Sequence, residues 1–365
     1  VCLLAVSLFA SCLGDLDTLP LDDNELTGEM VYSTPEGYIG MIAKCYAALI
    51  QTGQKGGDGG DGDVSGIDEG YSGYTRALFY LQEACTDEIV FQSGGSKGVR
   101  AMLYLNWDAS TEIVGYPYYR LFMTINYCNE FLRECTESKL QERGVYEALK
   151  DEYQYYCAEA RFIRALAYTH ALDLFRNVPF VTEGDPVGNY LPPRYTGKQL
   201  FDNLESELKA IDDDLLDRTA CEYGRASRSA AHALLARLYL NAEIYTGTAR
   251  WTDCITYCNR ILTAGYTLED DYALLFNADN HLRTNEIIYA FPVDSERTMT
   301  WGATTYIICG SINNTSDTQL PTDYGVPSGW GSFRLRGEFP NLFDANDSRA
   351  MFYTEGQTQS VDVVE

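Results

Sequence analysis

Apolar residues recur at helical spacing through the middle of the chain. Those between residues 151 and 175 that lie on or near one stripe are Tyr155, Ala158, Phe162, Ala165, Leu166, Leu172 and Phe175. Steps of three and four residues predict an amphipathic helix, and Asn177-Val178-Pro179 ends it because proline cannot continue a helix. The same spacing predicts further helices over residues 38–49, 197–214, 227–245 and 251–264.

A short pattern repeats between two of these helices. Ala165-x-x-Tyr168 recurs as Ala236-x-x-Tyr239, at a separation close to two tetratricopeptide-like units of about 34 residues. Small alanines let neighbouring helices approach closely, and the aromatic rings fill the remaining space. The sequence therefore predicts a mostly α fold in which tetratricopeptide-like helix pairs form a scaffold over about residues 37–265.

Two regions interrupt the helical spacing. Residues 52–75 contain too much glycine for a regular element, and after residue 266 the chain breaks into short apolar runs. The runs 286–291 and 304–309 predict short strands, and 313–331 predicts loop. Because binding residues collect on loops held by a rigid scaffold, we expect a loop-rich ligand region over about 52–100 and 266–365.

The first residues are typical of a bacterial lipoprotein. An apolar run over residues 3–10 closes on Ser11-Cys12 and is followed by Gly14-Asp15, as at the end of a secretory signal with a lipobox. We expect residues 1–11 to be a signal remnant, Cys12 to carry lipid, residues 12–36 to form an extended acidic tether, and a C-terminal portion to be missing. The alternative is a plain cleaved signal with an incidental cysteine.

Charge and composition narrow the choice of partners. The chain carries 27 Lys and Arg against 53 Asp and Glu, a formal charge of −26, which disfavours nucleic acid and anionic head groups. Membrane contact is then expected through the anchor only. The 28 tyrosines mostly predict core packing, but exposed rings also stack on neutral sugars. The 11 cysteines include no C-x-x-C pair, so most are predicted to be small buried hydrophobes.

No motif of catalysis stands out. The chain has no H-E-x-x-H and no P-loop lysine, and with 53 acids a glycosidase-like carboxylate pair carries no information. Asp61-x-Asp63-x-Ser65-Gly66 opens like a calcium loop, yet Ser72 stands at the twelfth position where a bidentate glutamate is needed. We therefore predict no cofactor, and a structural calcium ion is the open alternative.

Several short segments share a pattern that each alone would not specify: the lipobox with residues 13–17, Ala158 to Tyr168, Leu174 to Pro179, residues 224–227 and 233–240, Gly53 to Gly56, Asp68 to Gly73, Tyr306-x-x-Cys309-Gly310 and Gly329-Trp330. Together they resemble the SusD/RagB family of outer-membrane glycan-binding lipoproteins of Bacteroidetes, most of all its starch-binding founder. The resemblance covers essentially the whole chain. It implies a SusD-like superhelix of helix pairs and no catalytic activity.

The resemblance also implies a role and a set of ligand residues. Such proteins lie at the cell surface on the outer membrane and pass oligosaccharides to a TonB-dependent transporter of the SusC type. For an α-glucan such as starch, Asp68 matches the family's acid, Arg76 its arginine, and Trp301 and Trp330 two of its rings. In the simpler interpretation Asp68 caps a turn, Arg76 pairs with an acid, Trp301 plugs a sheet edge and Trp330 anchors a loop.

The chain departs from the starch-binding pattern at two positions. Ser93 stands where a third ring is expected, with Phe91 nearby, and Ser96 stands at the amide position. The family's calcium site would fall near residues 277–280, where the match is loose. A related glycan, a surface glycosidase and a helical-repeat scaffold for a protein partner therefore stay open as alternative functions.

Overall fold

Helices build most of the folded chain. The computed structural model describes residues 27–53, 62–91, 96–294, 296–298, 300–302, 304–312 and 321–352. The α-helices are α1 (Gly28–Val31), α2 (Pro35–Ala47), α3 (Tyr74–Glu83), α4 (Val99–Leu103), α5 (Glu112–Glu134), α6 (Glu137–Glu142), α7 (Tyr146–Leu149), α8 (Tyr153–Phe175), α9 (Gly197–Ala210), α10 (Arg228–Leu240), α11 (Ala242–Thr246), α12 (Trp251–Thr263) and α13 (Thr304–Ser311).

Strands are few and short in the described part of the chain. β1 (Ile89–Phe91) pairs antiparallel with β4 (Phe333–Leu335), with Phe91 opposite Phe333. β2 (Val178–Pro179) pairs antiparallel with β3 (Arg194–Tyr195). Short 3₁₀ turns cover Ser96–Gly98, Tyr272–Phe276, Asn280–Leu282, Pro321–Tyr324 and Phe339–Leu342. The prediction of a mostly α fold with short strands is confirmed.

Local sequence explains where the scaffold helices begin. The hydroxyl of Thr34 accepts a hydrogen bond from the N–H of Gly37 at the start of α2, where proline occupies the first helical position. At α9, Thr196 and Gln199 form a reciprocal capping box. The hydroxyl of Ser227 caps α10 by accepting a hydrogen bond from the N–H of Ala230 at 3.2 Å. These side chains satisfy backbone donors that a helix start otherwise leaves unpaired.

The scaffold consists of helices packed side by side. α5 packs on α8, α8 on α9, and α10 on α12. Both copies of the repeated pattern are buried at these contacts: Ala165 and Tyr168 on α8, and Ala236 and Tyr239 on α10. All four belong to one hydrophobic cluster that also includes residues of α2, α5 and α9. The sequence pattern thus marked positions where helices meet.

A second, smaller hydrophobic cluster supports the loop-rich region. It joins Tyr80 of α3, Phe91 of β1, Tyr116 of α5, Tyr306 of α13 and Phe333 of β4. The rings of Tyr306 and Phe333 lie 5.7 Å apart between centroids, and those of Phe91 and Phe333 also 5.7 Å apart. Chain segments that are far apart in sequence therefore pack together in this second cluster.

The two strand predictions after residue 266 are wrong. Residues 304–309 belong to helix α13 and not to a strand. Their β-branched residues suggested a strand, but Tyr306, Cys309 and Ile312, three residues apart, are the ones that are buried. Residues 286–291 take no regular structure; the segment packs on the core through Tyr289, whose ring centroid lies 5.2 Å from that of Phe162.

Other boundaries differ by a few residues. The helix predicted over 227–245 breaks at Asn241 into α10 and α11, and the one predicted over 197–214 ends at Ala210. At the N-terminal side, the extended tether was expected to reach residue 36. Instead α1 begins at Gly28, and Tyr32 is already buried. Residues 1–26, including Cys12, lie outside the described residues.

Two further expectations concern cysteines and membrane spans. The nine cysteines within the described ranges are free thiols, and Cys45, Cys128, Cys135 and Cys309 are buried. The prediction of small buried hydrophobes holds for these four, whereas Cys85, Cys157, Cys221 and Cys254 are partly buried and Cys258 is exposed. Among the helices that the structure describes, none combines the length and the apolar character needed to cross a bilayer.

Candidate functional site

Asp68 lies in a tight turn that leads into α3. Its Oδ1 accepts a hydrogen bond from the backbone N–H of Tyr71 at 2.9 Å, and its carbonyl oxygen accepts one from the N–H of Ser72 at 3.0 Å. The carboxylate therefore does cap the turn at Gly70. Within the described ranges its Oδ2 accepts no hydrogen bond, so the same side chain also offers a charged acceptor to a ligand.

Arg76 lies beneath this turn, enclosed between two rings. Its guanidinium carbon is 4.0 Å from the ring centroid of Tyr71 and 3.9 Å from that of Tyr306, and the residue is only 7% exposed. Nη2 donates to the hydroxyl of Tyr80 at 3.2 Å, and Nη1 donates to the carbonyl of Trp301 at 3.3 Å. Cation–π contacts are strongest where water is excluded. Arg76 thus ties the Trp301 backbone to α3.

No acid neutralises Arg76 directly. Within the described ranges no carboxylate oxygen lies within 4.0 Å of its guanidinium nitrogens. An ideal Cβ placed on Gly70 would lie 3.2 Å from Nη1 of Arg76, 3.4 Å from Cβ of Trp301 and 3.5 Å from Oδ1 of Asp68. Three of the predicted site residues therefore converge on one point of the loop.

A close approach of two glycines fixes the position of Trp301. An ideal Cβ on Gly73 would lie 2.8 Å from the Cα of Gly302, and one on Gly302 would lie 2.8 Å from the Cα of Gly73. The N–H of Arg76 also donates to the carbonyl of Gly302 at 2.8 Å. Only glycine leaves room for this contact between the start of α3 and the segment that carries Trp301.

Trp330 is held by the C-terminal end of α13. Its N–H donates to the carbonyl of Cys309 at 2.7 Å, and the N–H of Gly331 donates to the carbonyl of Ile312 at 2.8 Å. These bonds satisfy carbonyls that a helix end leaves unpaired. An ideal Cβ on Gly329 would lie 2.4 Å from the carbonyl oxygen of Ile312, so glycine is required there as well.

The two tryptophan rings form an angled pair on a rigid base. Their centroids are 5.7 Å apart and their planes meet at 49°. Trp301 is 38% exposed, whereas Trp330 is half-buried and packs on Tyr306 with centroids 6.0 Å apart. Trp301 does not plug a sheet edge. Trp330 is both a loop anchor and a neighbour of the more exposed ring, so the simpler interpretation of Trp330 holds in part.

This arrangement is suited to binding a ligand that has flat apolar faces and hydroxyl groups. Indole faces stack on apolar surfaces, and the Asp68 carboxylate accepts charge-assisted hydrogen bonds. The backbone segments that carry the two tryptophans are held by hydrogen bonds and by close backbone contacts. Binding would therefore cost little ordering of these side chains.

A curated relative is similar to most of this chain. Over 339 residues the chain is 33% identical to the starch-binding protein SusD of Bacteroides thetaiotaomicron, an alignment that covers 92% of this chain and 57% of the relative. A SusD-like family model, described as "Starch-binding associating with outer membrane", matches residues 74–240. The chain is similar to members of the SusD-like family. It spans 57% of the length of that relative.

Solved structures share the SusD-like fold. A SusD superfamily protein of Parabacteroides distasonis superposes with a TM-score of 0.65 at 19% identity, covering 90% of this chain and 62% of that one. The surface glycan-binding protein A of B. thetaiotaomicron, solved in complex with laminarihexaose, gives a TM-score of 0.61 at 17% identity over 87% of this chain and 56% of that one. At these identities the likeness concerns the fold alone.

At both expected calcium positions a described acid has an arginine partner. Both carboxylate oxygens of Asp63 accept from Nη1 of Arg120 at 2.8 Å, so this acid already has a cationic partner. Near residues 277–280, Asp279 pairs with Arg283 at 3.2 Å. Throughout the described ranges no cluster of three or more His, Cys, Asp or Glu could hold a metal ion. Asp61 lies outside them.

Some site residues escaped the sequence reasoning. The rings of Tyr71 and Tyr306 enclose Arg76, although one stood in a glycine-rich loop and the other in an expected strand. Glu112, at the start of α5, carried no signal beyond an acid in a first helical turn. Ser93 lies outside the described residues, and nothing is stated of the Ser96 side chain. Phe91 is buried in the second cluster and does not replace the missing ring.

Proposed function

We propose that this SusD-like protein is a non-catalytic binder of starch and malto-oligosaccharides at the cell surface. The observation that carries the proposal is the fixed pair of tryptophan rings at 49° beside the free oxygen of Asp68. Two rings inclined to each other can stack on successive sugars of a curved ligand, and an α-glucan helix is curved in this way. The similarity to a starch-binding relative at 33% identity supports the same ligand class.

A different glycan is the second candidate. The sequence lacks a ring at Ser93, so the platform is shorter than in the starch-binding pattern. A structural neighbour was solved with laminarihexaose. A binder of another neutral oligosaccharide would use the same stacking and the same acid, and would differ in the curvature that it prefers.

We place this binding step in glycan uptake at the outer membrane. The family model's description associates its members with that membrane, and Cys12 follows a lipobox-like segment. In the proposal Cys12 is lipidated, the domain faces outward, and bound oligosaccharide passes to a TonB-dependent transporter of the SusC type. Replacing Cys12 with alanine should abolish incorporation of labelled fatty acid and release the protein from the membrane fraction.

Calorimetry with defined oligosaccharides tests the ligand. We would titrate the full-length protein carrying Cys12→Ala with maltoheptaose, cyclodextrin, pullulan, laminarihexaose and an unrelated β-glucan. Binding to α-glucans is expected in the parent protein, and Trp330→Ala should weaken it about tenfold or more, the scale of one lost ring contact. Trp251→Ala, which removes a tryptophan that is 51% exposed at the start of α12, should change nothing.

Each alternative has its own outcome in this experiment. Binding to laminarihexaose without binding to α-glucans would move the ligand to another glycan. Release of reducing sugar during incubation would identify a glycosidase and contradict the proposal. If none of these sugars binds, the proposal fails and a scaffold for a protein partner is the alternative that is left.

A further inference from the structure

A group of three polar side chains stands at the start of α5. Glu112 is the first residue of the helix, and its Oε2 accepts a hydrogen bond from the hydroxyl of Tyr116, one turn later, at 2.7 Å. The ammonium group of Lys97 lies 3.1 Å from the same oxygen. Two neighbours thus hold Oε2, while Oε1 has no partner among the described residues. The Glu112 side chain is 57% exposed.

This group borders the same hydrophobic cluster as the tryptophan pair. Tyr116 is 3% exposed and belongs to the cluster with Tyr306, against which Trp330 also packs. The electrostatics agree with this placement. The hydrogen bond and charge of Glu112, with a further contribution from Asp68, raise the pKa of Lys97. Burial, then Glu112, then Asp68 raise the pKa of Tyr116. Asp68 therefore lies within electrostatic range of both side chains.

The backbone keeps Lys97 in place. Lys97 adopts a positive φ of 57°, which is uncommon for a residue with a side chain. The following Gly98 has φ 85°, and an ideal Cβ there would lie 2.6 Å from Cγ2 of Thr111, immediately before Glu112. The 3₁₀ turn that carries Lys97 therefore packs tightly on the start of α5. The ion pair with Glu112 is part of this packing.

We propose that Glu112 is a second acid of the glycan cleft, which accepts a hydrogen bond from a sugar hydroxyl through Oε1. Lys97 and Tyr116 are positioning residues that fix its carboxylate. The inference rests on the proposed function. Two anchors on Oε2 reduce the entropy lost when Oε1 binds a ligand, and a carboxylate bonds a hydroxyl more strongly than a neutral acceptor does.

Glu112 also accounts for the incomplete ring platform. This chain has serines where the starch-binding pattern expects a third ring and an amide, and Glu112 adds an acid that Lys97 and Tyr116 hold in place. Two carboxylates, Asp68 and Glu112, would repel polyanionic chains. The ligand class is then a neutral oligosaccharide.

Two variants on one helix test the role of Glu112. Glu112→Gln keeps the shape and removes the charge, so the affinity for maltoheptaose should fall about fivefold, the difference between a charged and a neutral hydrogen bond. Glu130→Gln is the matched control, because Glu130 also lies on α5, pairs with Arg133 at 2.6 Å and is 45% exposed. Its affinity should equal that of the parent protein.

A third variant covers the case in which Glu112→Gln fails to fold. Tyr116→Phe keeps the ring and the acid but removes one of the two bonds to Oε2 of Glu112, and we expect a loss of affinity of about twofold with an unchanged thermal midpoint. If the parent binds and Trp330→Ala does not, while Glu112→Gln and Tyr116→Phe bind as the parent does, the inference is wrong and the proposed function stands. An equal loss in Glu130→Gln would also overturn it. If the parent binds no oligosaccharide, the proposed function itself fails.

Discussion

Replacing Gly73 with alanine should damage the candidate site through a single steric contact. The backbone at Gly73 has φ −54° and ψ 136°, which alanine adopts without strain. The added methyl group is the whole perturbation. It would lie 2.8 Å from the Cα and 3.3 Å from the carbonyl carbon of Gly302. Both neighbours are backbone atoms, so no side chain can rotate to make room.

The size of the effect follows from that distance. Carbon atoms in contact prefer about 3.5–4.0 Å, so the two backbone segments must separate by about 0.7 Å or more. Overpacking of this kind costs about 1–3 kcal/mol. Each kcal/mol lowers the thermal midpoint by about 2–4 °C in a domain of 150–250 residues, and by less in a larger chain. Trp301 precedes Gly302, so the shift also displaces the exposed ring.

Thermal unfolding and calorimetry with maltoheptaose measure the two consequences separately. Gly73→Ala should unfold a few degrees lower and bind about fivefold more weakly or worse, since binding geometry tolerates about 0.5 Å. Gly40→Ala is the control, because nothing lies within 4 Å of a Cβ there and alanine favours the helix interior. It should unfold slightly higher with unchanged affinity. A Gly73→Ala protein as stable and as tightly binding as its parent would refute the reasoning.

Three further predictions concern stability and metal. Glu159 is fully buried, and its two carboxylate oxygens accept hydrogen bonds from Arg225 at 2.9 and 2.6 Å. Glu159→Ala should therefore lower the free energy of unfolding, measured with urea, by about 3–5 kcal/mol. A decrease below about 1 kcal/mol would contradict a stabilising pair of Glu159 and Arg225. Burial, with a contribution from Arg237, lowers the pKa of His170 to about 4. The unfolded state therefore binds the His170 proton more tightly than the folded state does. The free energy of unfolding should be highest above pH 6.5 and should fall by up to about 3 kcal/mol as the pH is lowered towards 4. His170→Gln should make the free energy of unfolding less dependent on pH in this range, whereas replacing the exposed His281 should not. Finally, chelation with EDTA should leave oligosaccharide affinity unchanged; a loss restored by Ca²⁺ would establish a calcium site.

The helices were predictable because their signals are local. The stripe from Tyr155 to Phe175 repeats every turn, and caps such as Thr196 and Ser227 mark where helices start. The helix α13 was missed for the opposite reason. Its residues have strand propensity, and burial of Tyr306 and Cys309 against distant segments decides its conformation.

The four candidate residues were chosen from the sequence, but their arrangement was not predictable from it. Asp68 and Arg76 are near in the chain, whereas Trp301 and Trp330 follow more than 200 residues later. The sequence offered Arg76 as a ligand contact. The structure encloses it between Tyr71 and Tyr306 and bonds it to the Trp301 carbonyl.

The amino-acid sequence by itself determined the helices of the scaffold and the resemblance to the SusD-like family, because periodicity and motifs are properties of neighbouring residues. Only the tertiary structure decided that Gly73 touches Gly302, that the two tryptophan rings meet at 49°, and that Glu112 is held by Lys97 and Tyr116. These contacts join separate elements of the fold. Their geometry depends on how the helices pack, and no local pattern encodes that.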